Sequence, residues 1–272
     1  MIPMQITSMS WRLSKIGERD DFMGERTRGT HVLLDQDGIK EFFDGRSKKA
    51  LPHLYNYTNY QDNHPDLVLR RDRYEKQKVL PDLRIGKDTR VLDIGCGVGR
   101  WAGTVLSCGG MYVGVDYSEP LLALARNACE EAKESNRQYE FICSSFQDIC
   151  EKLPGHDAED GFDLIIVNGV MVYINDSDLP KCMANADRLL RPAGRLYIKE
   201  PIAYGERLTL NHVYSEELSS DYSAIYRSVD EYEALWESLG ERYSMARKGD
   251  MWEDSLKNRK ETGPYYWIME KR

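Results

Sequence analysis

The run Val91-Leu92-Asp93-Ile94-Gly95-Cys96-Gly97-Val98-Gly99-Arg100 decides the fold. A short apolar segment ends in three alternating glycines. The next apolar segment, Met111-Tyr112-Val113-Gly114-Val115, ends at Asp116, 23 residues after Asp93. A glycine-rich turn between a strand and a helix lets a ligand touch the backbone, because no Cβ intervenes. Outward from it, residues 99–108 predict a helix stopped by Gly109-Gly110. Ser118 is placed to cap a second helix, with Pro120 in its first turn and Leu121, Leu122, Leu124, Ala125 and Ala128 on its apolar stripe. Residues 139–142 and 162–167 predict the third and fourth strands, the latter apolar enough to be covered on both faces. A helix over 178–190, a fifth strand over 195–199, a helix over 229–239 with the capping box Ser228/Glu231, and strands near 242–246 and 265–269 complete the pattern. This alternation predicts a doubly wound α/β fold on a mostly parallel sheet.

The chain has 272 residues, 41% hydrophobic and 30% charged, enough for one sizeable core. Residues 66–80 have helical composition, but the first 80 residues are too thin in apolar groups for a core of their own. They are expected to form a helical appendage, with the main domain over 81–272 and a polar, tyrosine-bearing insertion at about 200–227. No run approaches the ~20 apolar residues of a membrane span, and no signal-type segment opens the chain, so a cytoplasmic protein away from membranes is expected. The six cysteines form no CxxC and no Cys/His ligand spacing, which argues against a disulfide framework and a metal. Net charge is -8, and residues 91–200 hold 10 basic against 17 acidic groups. No nucleic-acid partner is expected on that ground, since polyanion binding needs an excess of cations on one surface. The oligomeric state is not legible.

The dinucleotide fingerprint, G-x-G-x-x-G, is not met: the third glycine is Gly99, followed by Arg100. Asp93 would also repel a pyrophosphate near Gly95. A cofactor without phosphate and with an ammonium group would welcome it, and S-adenosylmethionine is one. Asp116, at the second strand end, is placed to accept from both ribose hydroxyls. The 91–100 string resembles motif I of the class I S-adenosylmethionine-dependent methyltransferases. Gly114-Val115-Asp116-Tyr117-Ser118 resembles their acidic loop, and residues 162–173 and 189–196 continue the likeness. The resemblance implies seven strands with one reversed, and S-adenosylhomocysteine as product. It also implies that Gly95, Gly97 and Gly99 line the methionyl tail, Asp93 faces its ammonium, and Asp116 with Tyr117 holds the ribose. Ser145 and Phe146 would flank adenine, and Asn168 and Gly169 the sulfonium.

The expected reaction is methyl transfer to a nitrogen or oxygen of a small molecule. An amine need only be unprotonated, whereas a hydroxyl needs a base, for which Glu200, His212 and His64 are candidates, with Tyr173 at the end of the fourth strand. The N-terminal stretch with Tyr57 and Tyr60 and the insertion with Tyr204, Tyr222, Tyr226 and Arg227 are expected to cover the acceptor. Arg227 would grip a carboxylate or phosphate. Removing residues 1–60 is then expected to spare cofactor binding and end turnover. Residues 57–62 and 74–76 resemble methyltransferases encoded with surface-polysaccharide or other small-molecule pathways. The competing readings are an NAD(P)-dependent oxidoreductase and a non-catalytic, cofactor-binding partner subunit.

Overall fold

The structure, a computed structural model, describes residues 24–132 and 138–272. In chain order, β1 (Glu25–Arg28), α1 (Gln36–Arg46), α2 (Asn56–Asn59) and α3 (Pro65–Leu83) precede the glycine turn. The main sheet begins with β2 (Arg90–Ile94), α4 (Ala102–Ser107), β3 (Met111–Asp116), α5 (Glu119–Glu131) and β4 (Tyr139–Cys143). It continues through α6 (Ile149–Lys152), α7 (Gly155–Asp160), β5 (Phe162–Asn168), α8 (Leu179–Leu189) and β6 (Leu190–Ala203). Then come β7 (Leu208–Ser215), β8 (Ser220–Tyr226), α9 (Val229–Glu237), β9 (Tyr243–Asp250) and β10 (Thr262–Lys271).

The seven-stranded sheet runs β4-β3-β2-β5-β6-β10-β9. Its strands are parallel except β10, which lies antiparallel to both neighbours. The expected mostly parallel sheet with one reversed strand is therefore present. Alternate residues of each strand serve opposite faces. Leu92, Ile94, Ile165, Val167 and Ile198 pack against Cys182, Met183 and Ala186 of α8 and Tyr232 and Trp236 of α9. Val91, Tyr112, Leu164, Ile166 and Tyr197 pack against Val79 and Leu83 of α3, Val105 and Leu106 of α4, and Leu122 and Ala125 of α5. The boundary expected at 80/81 thus falls inside a helix that covers the sheet.

Ser228 and Glu231 form the expected capping box. Ser118 takes the N-cap position of α5 as expected, but its hydroxyl makes no capping bond and donates instead to Asp44 Oδ1 at 2.6 Å, tying α5 to α1. The insertion is the larger departure. The fifth strand extends through Ala203, and β7 and β8 form an antiparallel hairpin that β1 joins as a third strand. A third core results, in which Leu34, Ile39, Phe43 and Tyr60 meet Leu208, Tyr222, Ile225 and Tyr226. The polar composition hid this because β7 is buried only at its first two residues and β8 mainly at its last three, and one partner of β7, β1, lies at the other end of the chain.

Candidate active site

The order of the sheet reverses at β2, and beyond the carboxyl ends of β2, β3, β4 and β5 lies a cavity of about 480 Å³, within the range of small-molecule sites. Asp93, Ile94, Gly95 and Cys96 enter it from β2, Asp116 and Tyr117 from β3, Ser144, Ser145 and Phe146 from β4, and Asn168 and Gly169 from β5. The glycine turn, the acidic strand ends and the residues after β5 are thus brought together.

Asp116 accepts the Gly97 N–H on Oδ2 at 2.8 Å and the Ser118 N–H on Oδ1 at 2.9 Å. Burial raises its carboxyl to about 6 against these two bonds. A carboxylate has about four acceptor sites, so two remain for a ligand. Asp93 is also buried, which pushes it up to about 7, although the Tyr112 hydroxyl donates to it at 2.7 Å. Trp101 Nε1, Tyr117 Oη and Asn168 Oδ1 are buried polar atoms of the lining with no hydrogen-bond partner among the described residues. Two are donors and one is an acceptor.

The three glycines divide in role. Gly97 has φ +54, and a Cβ on it would run into the Thr58 methyl group, so α2 seats on the turn. A Cβ on Gly95 would meet Val170. A Cβ on Gly99 would instead press on Phe141 and Ala125 at 3.2 and 3.3 Å, which is close packing of helix on sheet. Of the three glycines only Gly95 is part of the lining; Gly97 and Gly99 are not. The Ser145 hydroxyl donates to Asp148 Oδ2 at 2.9 Å, while Phe146 is buried at the cavity edge.

Three expected catalytic or acceptor residues, Glu200, Arg227 and His212, lie off the cavity lining. Glu200 is fully buried outside the lining; its Oε1 accepts the N–H groups of Val170 and Met171 at 2.9 and 3.1 Å, and its Oε2 that of Val172 at 3.1 Å. It builds the turn after β5, and burial lifts its carboxyl to about 7. Arg227 is 1% exposed, lies off the lining, and donates to Asp176 at 2.9 Å and to the Met171 and Ile174 carbonyls at 2.7 Å each, so it fastens the same turn. His212 sits in a bulge of β7 at φ +53, outside the lining. The Tyr57 hydroxyl donates to the Lys49 carbonyl, and Tyr204 stands 40% exposed; neither lines the cavity. His64 likewise lies off the lining, at the start of α3.

Tyr60, Tyr173, Tyr222 and Tyr226 do converge. Their hydroxyls form a chain, Tyr60 to Tyr173 at 2.6 Å, Tyr173 to Tyr222 at 2.9 Å and Tyr226 to Tyr222 at 3.4 Å. Burial raises Tyr60, Tyr173 and Tyr222, keeping those hydroxyls neutral.

Sequence reasoning missed the buried ionic cluster beneath the site. Glu75 Oε1 accepts from Arg100 at 2.9 Å, Asn168 Nδ2 at 3.0 Å and Tyr197 at 2.9 Å, and Glu75 Oε2 pairs with Lys199. Asp72 accepts from Arg100 at 2.7 Å and Lys76 at 3.0 Å. Burial would raise Glu75, but Arg100 and Lys199 outweigh it and hold the carboxyl at about 2. Burial brings Lys199 down to about 8 despite Glu75. Arg100 immediately follows the glycines; its partners lie 25 and 28 residues upstream, on α3, which left no local signal.

A seven-stranded sheet with one reversed strand, a glycine turn after its first strand and carboxylates at its first two strand ends is the fold of the class I S-adenosylmethionine-dependent methyltransferases. Residues 91–194 match the family described as a methyltransferase domain. It is 27% identical over 231 residues to a demethylmenaquinone methyltransferase of Tropheryma whipplei (strain Twist), spanning 80% of this chain and 85% of that one. In structure it resembles the Burkholderia thailandensis 1,6-didemethyltoxoflavin-N1-methyltransferase, solved with its substrate and S-adenosylhomocysteine. The TM-score is 0.62 at 16% identity, over 93% of this chain and 97% of that one. It also resembles the magnesium protoporphyrin IX methyltransferase of Synechocystis PCC 6803 with bound S-adenosylmethionine. There the TM-score is 0.61 at 16% identity, over 89% of this chain and 100% of that one.

Proposed function

We propose that this chain transfers a methyl group from S-adenosylmethionine to a nitrogen or oxygen of a small-molecule acceptor. The observation that carries this reading is the cavity at the reversal of the strand order, lined by Asp93 and Asp116 and by Tyr60, Tyr173, Tyr222 and Tyr226. Its residues fit the cofactor. Asp93 would meet the ammonium, Asp116 the ribose hydroxyls, and the orphaned Tyr117 hydroxyl and Trp101 N–H are donors in search of acceptors such as a carboxylate. When bound, the cofactor supplies an electrophilic methyl group.

The protein's part is to position and to exclude water. The Tyr60-Tyr173-Tyr222 chain offers neutral hydroxyls to orient an acceptor heteroatom, and alignment of nucleophile and methyl carbon is itself a large share of catalysis. With Glu200 engaged by three N–H groups and His212 off the lining, an amine attacking in its unprotonated form suits the site better than a hydroxyl awaiting a base. The relatives described above are named for small molecules, which supports an acceptor of that kind. Two titrations and a screen test the reading. S-adenosylhomocysteine should bind and NADH should not, and labelled S-adenosylmethionine should yield a methylated product from a fractionated metabolite extract. Tight NADH binding would return the oxidoreductase reading.

A further inference from the structure

The cavity has a corner that the cofactor does not need. The segment between β9 and β10 brings Trp252, Asn258 and Arg259 to the wall, where they meet Arg71 of α3 and the Tyr226 hydroxyl. Arg71 is held by neutral oxygens. Its Nε and Nη2 donate to the Leu256 carbonyl at 3.0 and 2.5 Å, and Nη2 to Asn258 Oδ1 at 2.8 Å. The guanidinium lies 5.7 Å from the centroid of the Trp252 ring. Burial, and after it the nearby Arg259, lower Arg71 to about 10 against the pull of Glu217. Arg259 has Glu217 as its carboxylate at 3.8 Å, beyond hydrogen-bond reach; burial is outweighed by the Tyr226 and Tyr222 hydroxyls with Glu217, which raise it, and its side chain stays 41% exposed at the cavity. Lys257, also on the wall, pairs at 3.1 Å with Asp254, a carboxylate open to solvent.

The other cations of the cavity differ. Arg100 and Lys199 are matched by Asp72 and Glu75, and Lys40 by Asp44. In a chain of net charge -8, two guanidiniums left short of carboxylates at a concave aromatic wall fit one kind of ligand. We propose that the Arg71/Arg259 corner binds the anionic group of the methyl acceptor, a carboxylate or phosphate ester, beside the Trp252 ring. Planar guanidiniums pair with either group through two parallel hydrogen bonds. The tyrosine hydroxyl chain links this corner, through Tyr226, to Tyr173 behind β5. An acceptor anchored there lies along those hydroxyls. The proposal rests on the methyltransferase reading for the word acceptor, but not for the anion site itself.

Calorimetry with phenyl phosphate, benzoate and benzamide, on the protein alone and saturated with S-adenosylhomocysteine, separates the two. At least one anion should bind ten times more tightly than benzamide, and the tighter of the two identifies phosphate or carboxylate as the group. Because Arg71 also holds the Leu256 carbonyl, Arg259→Gln is the deciding variant. It should cost at least tenfold in anion affinity, leave benzamide unchanged and leave S-adenosylhomocysteine within twofold, which also certifies its fold. Equal binding of anion and amide, no binding of either anion, or full anion affinity in Arg259→Gln overturns the proposal. Anion binding without S-adenosylhomocysteine binding keeps the anion site and overturns the methyltransferase reading.

Discussion

Asp93 and Asp116 are poised in opposition to their own burial. Left without a ligand, both are raised, to about 7 and about 6, by removal from water. A bound ammonium favours the ionised form, so ligand binding releases protons around neutrality. Affinity for S-adenosylhomocysteine is therefore expected to rise from pH 5.5 to pH 8 and then level off. Calorimetry across that range, in buffers of different ionisation enthalpy, checks both the slope and the proton release; Asp93→Asn should flatten the profile. The sign for folding is the reverse. Because the folded value of Asp93 lies above the usual value near 4, its contribution to stability is complete below pH 4 and is lost as pH rises through about 7. Melting of Asp93→Asn against the wild type over pH 4–8 should show the difference growing in the variant's favour. Asp116→Asn keeps one acceptor oxygen but loses the charge, and charge-assisted bonds are worth roughly 1.5–3 kcal/mol each. At least a tenfold loss in S-adenosylhomocysteine affinity with an unchanged circular dichroism spectrum is expected. These two carboxylates were legible in the sequence because each ends an apolar strand and one adjoins the glycines.

At the scale of elements, the turn after β5 is held from two directions, by Glu200 from β6 and by Arg227 just beyond β8. Glu200→Gln leaves one acceptor oxygen for three N–H groups and turns an amide NH2 toward them. A stability loss of about 1–3 kcal/mol is expected, read as a lower urea midpoint with an unchanged slope. A general base would behave otherwise, with turnover falling 10²-fold or more and the midpoint unmoved. Reading Glu200 and Arg227 as chemistry from sequence was a natural inference, since both stand at ends of apolar segments. What that inference lacked was the partner set: Val170, Met171, Val172, Ile174 and Asp176 lie 28 to 56 residues from the side chains they meet, and backbone N–H and carbonyl groups leave no trace in residue identity. Elements with local periodicity, such as β2, β3, β5 and α8, were legible to within a few residues. The β7-β8 hairpin was not, because its bulge between Leu210 and Val213 breaks the alternation.

For the whole molecule, the N-terminal segment is a wall of the site. Thr58 seats on Gly97, Asp44 holds Ser118, and Tyr60 joins the hydroxyl chain. The expectation that removal of residues 1–60 spares cofactor binding therefore changes. With Leu34, Ile39, Phe43 and Tyr60 gone, the hairpin loses its core, and the shortened protein should bind a hydrophobic dye and lose at least tenfold in S-adenosylhomocysteine affinity. Wild-type affinity in the shortened protein would show that the sheet suffices. Residues 1–23, the rest of the predicted appendage, lie outside the described residues. The pairing of β1 with β7 joins residues 28 and 208, 180 positions apart. Closing so long a loop costs about 2–3 kcal/mol more than closing one of ten residues. During synthesis at 5–20 residues per second, β1 leaves the ribosome roughly 10–40 s before β7 exists to receive it. The nascent chain must therefore carry an unpaired strand and a bare apolar helix for most of its making, so that the wall over the cofactor is fitted only after the sheet behind it has emerged.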